Sequence, residues 1–177
     1  RRGRGVVEFL DETESMSLHD SVHVRVGTLS KALGAAGGFV CGSRAPIQWL
    51  ANRARSYVFS TAQPAASAAA ALVSLEIVQR TPQLRTALAE TSRQLRDRLR
   101  DAGWNIGPSQ SQIIPLLVGA PERALELAER LRGAGFWAPA IRPPSVPAGE
   151  SLLRITLTAG HAPDIVARFL EELGDSH

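Results

Sequence analysis

Cysteine and lysine each occur once in this chain of 177 residues, and aromatic residues make up only 5% of it. Cys41 cannot form a disulfide within the chain, and the apolar run from Phe39 to Cys41 predicts a buried, unreactive thiol. No stretch approaches the roughly 18 to 20 apolar residues that a membrane-spanning helix requires. The arginines of residues 1–5 are followed by no apolar signal-peptide region. We therefore expect a cytoplasmic protein that does not interact with membranes.

The charged residues do not form the pattern of a nucleic-acid-binding protein, although the net charge is +3. Most arginines between Arg80 and Arg132 alternate with acidic residues, which is typical of solvated helix faces and not of a stripe that follows phosphates. No grouping of His, Cys and carboxylate residues has the spacing of metal ligands. The sequence therefore predicts neither a nucleic-acid partner nor a metal site.

Lys31 is the only lysine among 20 basic residues, and the other 19 are arginines. Arginine fills the positions in this chain where positive charge suffices, so a single lysine needs a separate explanation. Its amine can lose a proton and attack a carbonyl, whereas a guanidinium stays protonated at any working pH. This contrast makes Lys31 a candidate catalytic residue, with an incidental surface lysine as the alternative.

Periodicity and capping signals predict an α/β fold. The predicted strands are residues 22–29, 37–42, 113–118, 136–141 and 152–158. The predicted helices are residues 45–54, 65–79, 81–103, 122–132 and 164–173. We expect the alanine-rich helix 65–79 to be mostly buried, and the three prolines in residues 142–149 to make an extended loop. Residues 1–80 and 81–177 are predicted to form two domains, with the helix after residue 81 as the link.

The segment from Thr28 to Gly34, followed by Gly37-Gly38, resembles the lysine loop of fold-type I pyridoxal-phosphate (PLP) enzymes, and of the α-oxoamine synthases in particular. The resemblance implies that Lys31 holds PLP as a Schiff base and that Thr28 binds the cofactor's phosphate. Small residues around Lys31 would admit the planar ring, and a hydroxyl near the strand end can donate to phosphate. The alternative for Thr28 is an ordinary strand threonine.

A second segment, Ser60-Thr61-Ala62-Gln63-Pro64, resembles the Ser-Thr-x-x-Pro turn of the same family. The resemblance implies that Ser60 and Thr61 reach the phosphate of the neighbouring subunit's cofactor, and hence that the protein is a homodimer with shared active sites. Serine and threonine are also favoured helix caps. The hydroxyls could therefore cap the helix that follows, with or without a role at the phosphate.

The segments from Ala140 to Gly149 and from Leu153 to His161 closely resemble enzymes of the 8-amino-7-oxononanoate synthase type. In a strand, Ile155 and Leu157 face one side while Arg154, Thr156 and Thr158 face the other. The resemblance implies that Arg154 grips the substrate carboxylate, and a structural salt bridge is the alternative. The roles of Arg142 and His161 stay open, with solvent exposure and helix capping as the simpler interpretations.

The resemblance implies the C-terminal part of a fold-type I PLP-dependent transferase, made of the end of the large domain and a small α/β domain. It implies that the complete protein condenses L-alanine with pimeloyl-CoA, or the pimeloyl thioester of a carrier protein, in biotin synthesis. Residues 1–5 resemble the stretch just after the aspartate motif that serves the PLP ring nitrogen. We therefore expect these 177 residues alone to be inactive. The alternatives are a sister α-oxoamine synthase, of the glycine C-acetyltransferase, 5-aminolevulinate synthase or serine palmitoyltransferase type, and a non-catalytic α/β interaction domain.

Overall fold

The computed structural model describes residues 22–176, which form two compact units that divide between Pro82 and Gln83. Predictions that concern residues 1–21, including the resemblance of the opening arginines, lie outside the described residues. Within the described range, no helix combines the length and the apolar character needed to cross a bilayer.

The first unit begins with a β-hairpin in which β1 (Val24–Thr28) pairs antiparallel with β2 (Gly38–Gly42). Both strands were predicted. Gly27 lies opposite Phe39, and a Cβ atom at Gly27 would overlap the Phe39 ring. The aromatic ring therefore covers a glycine across the strand pair, which helps to set the register of the hairpin.

Three helices complete the first unit: α1 (Arg44–Arg53), α2 (Arg55–Val58) and α3 (Ala65–Arg80). The sequence predicted α1 and α3 but not the single turn α2. Two burial predictions are wrong. Cys41 is exposed, and Ala71 is the only buried residue of α3. The physical reason is that, among the residues described, no second layer covers these apolar side chains.

The second unit contains α4 (Gln83–Asp101), β3 (Ile113–Gly119), α5 (Pro121–Gly133), β4 (Ala140–Ile141), β5 (Ser151–Thr156) and α6 (Pro163–Leu173). The three strands form an antiparallel sheet in the order β3-β5-β4, so β5 is central. Helices α5 and α6 each begin with a proline at N1 or N2 and an acidic residue in the first turn, which favours helix initiation.

One hydrophobic core stabilises the second unit. It joins Leu95 and Leu99 of α4 to Leu153 and Ile155 of β5, with Phe169 of α6 in the same cluster. Burying an aliphatic or aromatic side chain of this size contributes about 1.5–3 kcal/mol, so this core is the main source of stability.

Two side chains form hydrogen bonds to the carbonyl groups at the C-terminal end of α6. The Nε1–H of buried Trp104 donates to the Gly174 carbonyl at 2.8 Å, and Nη2 of Arg130 donates to the Leu173 carbonyl at 2.8 Å. The carbonyls at the end of a helix lack partners within the helix, so these bonds satisfy groups that would otherwise be costly to bury.

Two details of the second unit differ from the predictions. The strand predicted at residues 136–141 is observed only at Ala140–Ile141. Pro139 has no N–H for a ladder, and Gly135 turns the chain at a φ of +90°. The loop of residues 142–149 is not extended but contains turns, in which the Ser145 N–H donates to the Arg142 carbonyl at 2.9 Å. The Pro143–Pro144 peptide bond in this loop is cis.

Candidate active site

Lys31 lies in the loop that joins β1 to β2, and it is exposed. The loop is closed at its base by the Leu29 N–H, which donates to the Gly37 carbonyl at 2.9 Å. The Ala35 N–H donates to the Leu29 carbonyl at 2.8 Å. Most other residues of the turn are alanine or glycine, with Leu33 as the exception, and a Cβ atom at Gly34 would meet nothing within 4 Å. The loop is therefore open on the side of Gly34.

Thr28 ends β1 and places its hydroxyl at the start of the Lys31 loop. Its Oγ1 accepts from the Ser30 N–H at 3.2 Å and lies 2.8 Å from the Ser30 hydroxyl, where either oxygen can donate. The sequence interpretation did not single out Ser30, although its place one residue before Lys31 was a usable signal. Two hydroxyls thus lie together in the loop that carries Lys31, and both are suited to a phosphate.

The Ser60-Thr61 turn belongs to the same unit as the Lys31 loop. The Ser60 hydroxyl donates to the Ser56 carbonyl at 2.5 Å, whereas the Thr61 hydroxyl has no hydrogen-bond partner within residues 22–176. The N-cap of α3 is Pro64, and no side chain caps this helix. The capping alternative for these hydroxyls is therefore wrong. Of the two hydroxyls, only that of Thr61 has an O–H that donates to no group in residues 22–176.

Gln63 connects this turn to the lysine hairpin. A Cβ atom at Gly37 would lie 2.8 Å from Nε2 of Gln63, so the glutamine side chain packs directly on the Gly37 backbone. Gly37 also has a φ of +93°, a conformation that side-chain-bearing residues rarely adopt. Glycine is required here both by the backbone conformation and by the close approach of Gln63.

The charge of this region favours an anionic ligand. Residues 22–75 contain no aspartate or glutamate, and Glu76 is the only acidic residue from 22 to 82. Glu76 lies 3.7 Å from Arg80 on the exposed surface of α3. Within residues 22–82, Glu76 is therefore the only carboxylate that could neutralise Lys31 or repel a phosphate.

Arg154 lies on the exposed face of the central strand β5. Burial alternates along β5, with Leu153 and Ile155 buried and Arg154 and Thr156 exposed, as predicted. The neighbours of Arg154 in the sheet are Pro115 of β3 and Pro139, whose carbonyl accepts from the Arg154 N–H at 3.0 Å. No acidic side chain of the described residues pairs with Arg154, which argues against the structural salt bridge.

His161 and Arg142 have simpler roles in this structure. The Nδ1 atom of half-buried His161 accepts from the Thr158 N–H at 3.3 Å, which closes the turn before α6. It does not cap α6, whose N-cap is Ala162 with no side-chain hydrogen bond, so the helix-capping interpretation of His161 is wrong. Arg142 is exposed and pairs with no acidic group in the part of the chain that the structure describes.

A groove of about 460 Å³ lies in the second unit between α6 and the segment before β4. Its lining includes Phe136, Trp137, Thr156 and His161, whereas Thr28, Lys31, Ser60, Thr61 and Arg154 do not contribute to it. The structure thus brings Thr28 and Lys31 together in the first unit, with the Ser60-Thr61 turn packed on their hairpin. It places Arg154 in the second unit. The roles of all these residues remain predictions.

Comparison with known proteins identifies the family. The model of the aminotransferase class I and II family matches residues 6–173. An 8-amino-7-oxononanoate synthase of Aeromonas hydrophila subsp. hydrophila is 50% identical over 154 residues, which cover 87% of this chain and 39% of that protein. The enzyme of the same name from Methylocella silvestris is 44% identical over 155 residues, which cover 87% of this chain and 43% of that protein. The chain therefore spans about two fifths of the length of these relatives.

Solved structures share the fold. Serine palmitoyltransferase of Sphingomonas wittichii superposes with a TM-score of 0.89 at 32% identity, over 98% of this chain and 42% of that protein. A structure of SPT with a PLP internal aldimine superposes with a TM-score of 0.88 at 28% identity, over 97% of this chain and 42% of that one. The 8-amino-7-oxononanoate synthase of Francisella tularensis gives a TM-score of 0.75 at 23% identity, over 85% of this chain and 44% of that protein. The predicted α/β fold of a fold-type I PLP-dependent transferase is confirmed.

Proposed function

The chain belongs to the aminotransferase class I and II family, and from that premise we propose that the full-length protein is a PLP-dependent 8-amino-7-oxononanoate synthase of biotin biosynthesis. In the proposed reaction, the α-carbon of L-alanine forms a bond with the carbonyl carbon of pimeloyl-CoA or of a pimeloyl carrier-protein thioester. The thiol leaves, and the alanine carboxyl group departs as carbon dioxide. The single observation that carries this proposal is the exposed Lys31 in a loop of mostly small residues, with the Thr28 hydroxyl at the start of the same loop.

The described residues fit the cofactor. The Lys31 loop is open beside Gly34, and the hydroxyls of Thr28 and Ser30 lie together in the same loop. Residues 22–82 contain a single acidic side chain, Glu76, which suits a phosphate. When bound, PLP supplies an electron sink for the negative charge that develops at the substrate α-carbon.

Lys31 has two proposed roles. Its amine forms the covalent link to the cofactor aldehyde, which an arginine guanidinium cannot do at working pH. When not linked to the cofactor, the Lys31 amine would serve as the general base that removes the α-proton of alanine. One side chain can serve both roles because the first role ends before the second begins.

The phosphate and carboxylate groups need separate binding residues. Thr28 is proposed to donate to the phosphate from the start of the lysine loop, and Thr61 is proposed to donate to the phosphate in the partner protomer. Ser60 is the weaker phosphate ligand because its hydroxyl already donates to the Ser56 carbonyl. Arg154 is proposed to grip the alanine carboxylate with its planar fork of N–H donors.

Assembly as a homodimer with shared sites follows from the role proposed for Thr61. If one protomer supplies Lys31 and its partner supplies Thr61 to the same site, a mixed dimer of Lys31→Ala and Thr61→Val protomers keeps one intact site. We expect mixing the two weak variants to restore activity. A mixture that stays as weak as the average of the two variants would contradict the shared site.

The substrates are tested by carbon dioxide release from the full-length protein with L-alanine, glycine and L-serine, each paired with pimeloyl-CoA or a pimeloyl carrier-protein thioester. We expect turnover with alanine and none above background in the Lys31→Ala variant. The curated relatives at 44% and 50% identity support alanine, whereas the structures with the higher TM-scores carry the serine palmitoyltransferase and SPT names. Sequence identity is the better guide to substrate because a TM-score reports the backbone alone.

Two alternatives predict different outcomes in the same experiment. A sister α-oxoamine synthase would release carbon dioxide fastest with glycine or serine. A non-catalytic interaction domain would bind no PLP, so reconstitution of the full-length protein would give no absorbance from bound cofactor.

A further inference from the structure

The exposed face of β5 carries a second polar group besides Arg154. Residues of a strand separated by two positions leave the same face, with Cα atoms about 6.6 Å apart. Thr156 therefore faces the same side of the sheet as Arg154, and both side chains are exposed. At this spacing, the Thr156 hydroxyl can reach an anion that the long Arg154 side chain holds.

The surroundings leave Thr156 available for a ligand. Among residues 22–176, its hydroxyl makes no hydrogen bond, whereas the Thr158 hydroxyl already accepts from the Gly160 N–H at 3.3 Å. Thr156 pairs with Ile113 in the sheet, and Arg154 pairs with Pro115. These apolar partners offer no competing donor, so Thr156 is the nearest uncommitted hydroxyl on the strand.

We propose that Thr156 is a substrate-binding residue whose hydroxyl donates a hydrogen bond to the α-carboxylate that Arg154 holds. The proposal rests on the proposed function, because Arg154 is there assigned to the carboxylate of a small α-amino acid. Each carboxylate oxygen accepts more than one hydrogen bond, so a bidentate guanidinium leaves capacity for a third donor. A third donor adds to the orientation that the two parallel N–H donors of the guanidinium already give the carboxylate.

The effect of losing this bond is measurable. A hydrogen bond to a charged group changes affinity by about tenfold or more. Thr156→Val keeps the β-branched shape that favours a strand and removes only the donor. Thr156→Ser keeps the donor and removes a methyl group. The pair of variants separates the hydroxyl from the shape of the side chain.

The experiment measures the dissociation constants of L-alanine and L-alaninamide for the full-length protein with PLP bound, from the change in cofactor absorbance. Alaninamide has no carboxylate. We expect Thr156→Val to weaken alanine about tenfold, with less than a twofold change for alaninamide, and Thr156→Ser to stay within about threefold of the wild type for both. In turnover assays, Thr156→Val should raise KM for alanine and leave kcat within about twofold.

Three outcomes would overturn the proposal: a Thr156→Val protein that binds alanine like the wild type, an equal loss for alanine and alaninamide, or a serine variant as weak as the valine variant. The Arg154→Gln variant distinguishes an error in the role of Thr156 from an error in the carboxylate site itself. If Arg154→Gln weakens alanine and Thr156→Val does not, only the role of Thr156 is wrong. If neither variant weakens alanine, the carboxylate site of the proposed function is wrong as well.

Discussion

Leu153 offers a direct test of the structure that supports Arg154. It lies next to Arg154 in the central strand, is 0% exposed, and pairs with Leu116 of β3 and Ala140 of β4. Leu153→Ala removes three carbon atoms, each contributing about 0.8 kcal/mol of transfer free energy. Incomplete collapse of the remaining space raises the total loss to about 2–5 kcal/mol.

Hydrogen exchange measures this loss locally in the full-length protein. Because 1.4 kcal/mol corresponds to a factor of ten, protection of the β3 and β5 peptides should fall by about 30-fold to several thousand-fold. Leu125→Ala is the matched control because it removes the same atoms from a helix position that is 46% exposed. Its effect on these peptides should stay below about threefold. Equal losses in the two variants, or a loss below threefold for Leu153→Ala, would refute the assignment of β5 to the core.

Two further predictions concern the lysine hairpin and the surface of α4. Gly37→Ala should weaken PLP binding more than Gly34→Ala, as measured by absorbance titration. Both glycines have positive φ, where a side chain costs about 1–2 kcal/mol, but only Gly37 contacts Gln63. Arg93→Ala should raise the pKa of Glu90 towards its ordinary value in an NMR titration, because the hydrogen bond from Arg93 is the main cause of its lowered pKa. That pair stabilises the fold above the ordinary pKa of glutamate, and its contribution is lost as the pH falls through the lowered value.

Local signals in the sequence were sufficient for most helices and for the central strand. The predicted helix 164–173 is observed as Pro163–Leu173, because the proline, the acidic first turn and the apolar spacing all favour the same start and end. The alternation that placed Arg154 on an exposed face is likewise a property of the strand itself. Such features depend on neighbours in the chain and can therefore be read from it.

Three features were not predicted: one depends on residues that are distant in the sequence, and two depend on local geometry that the residue pattern did not reveal. The exposure of Cys41 follows from which elements cover β2, and its apolar neighbours in sequence carry no information about that. The position of the Ser56 carbonyl after α2 forms decides that the Ser60 hydroxyl has a hydrogen-bond acceptor and that the Thr61 hydroxyl has none. The shortness of β4 results from Pro139 and the turn at Gly135, which the apolar pattern of residues 136–141 concealed.

Covalent attachment of PLP to Lys31 is the central claim, and it is tested by borohydride reduction of the full-length protein with PLP bound, followed by digestion and mass spectrometry. We predict that the reduced cofactor is found on the peptide that contains Lys31, and that Lys31→Ala abolishes this adduct. A cofactor adduct on another lysine, or an adduct that persists in the Lys31→Ala variant, would contradict the assignment of this loop as the active site.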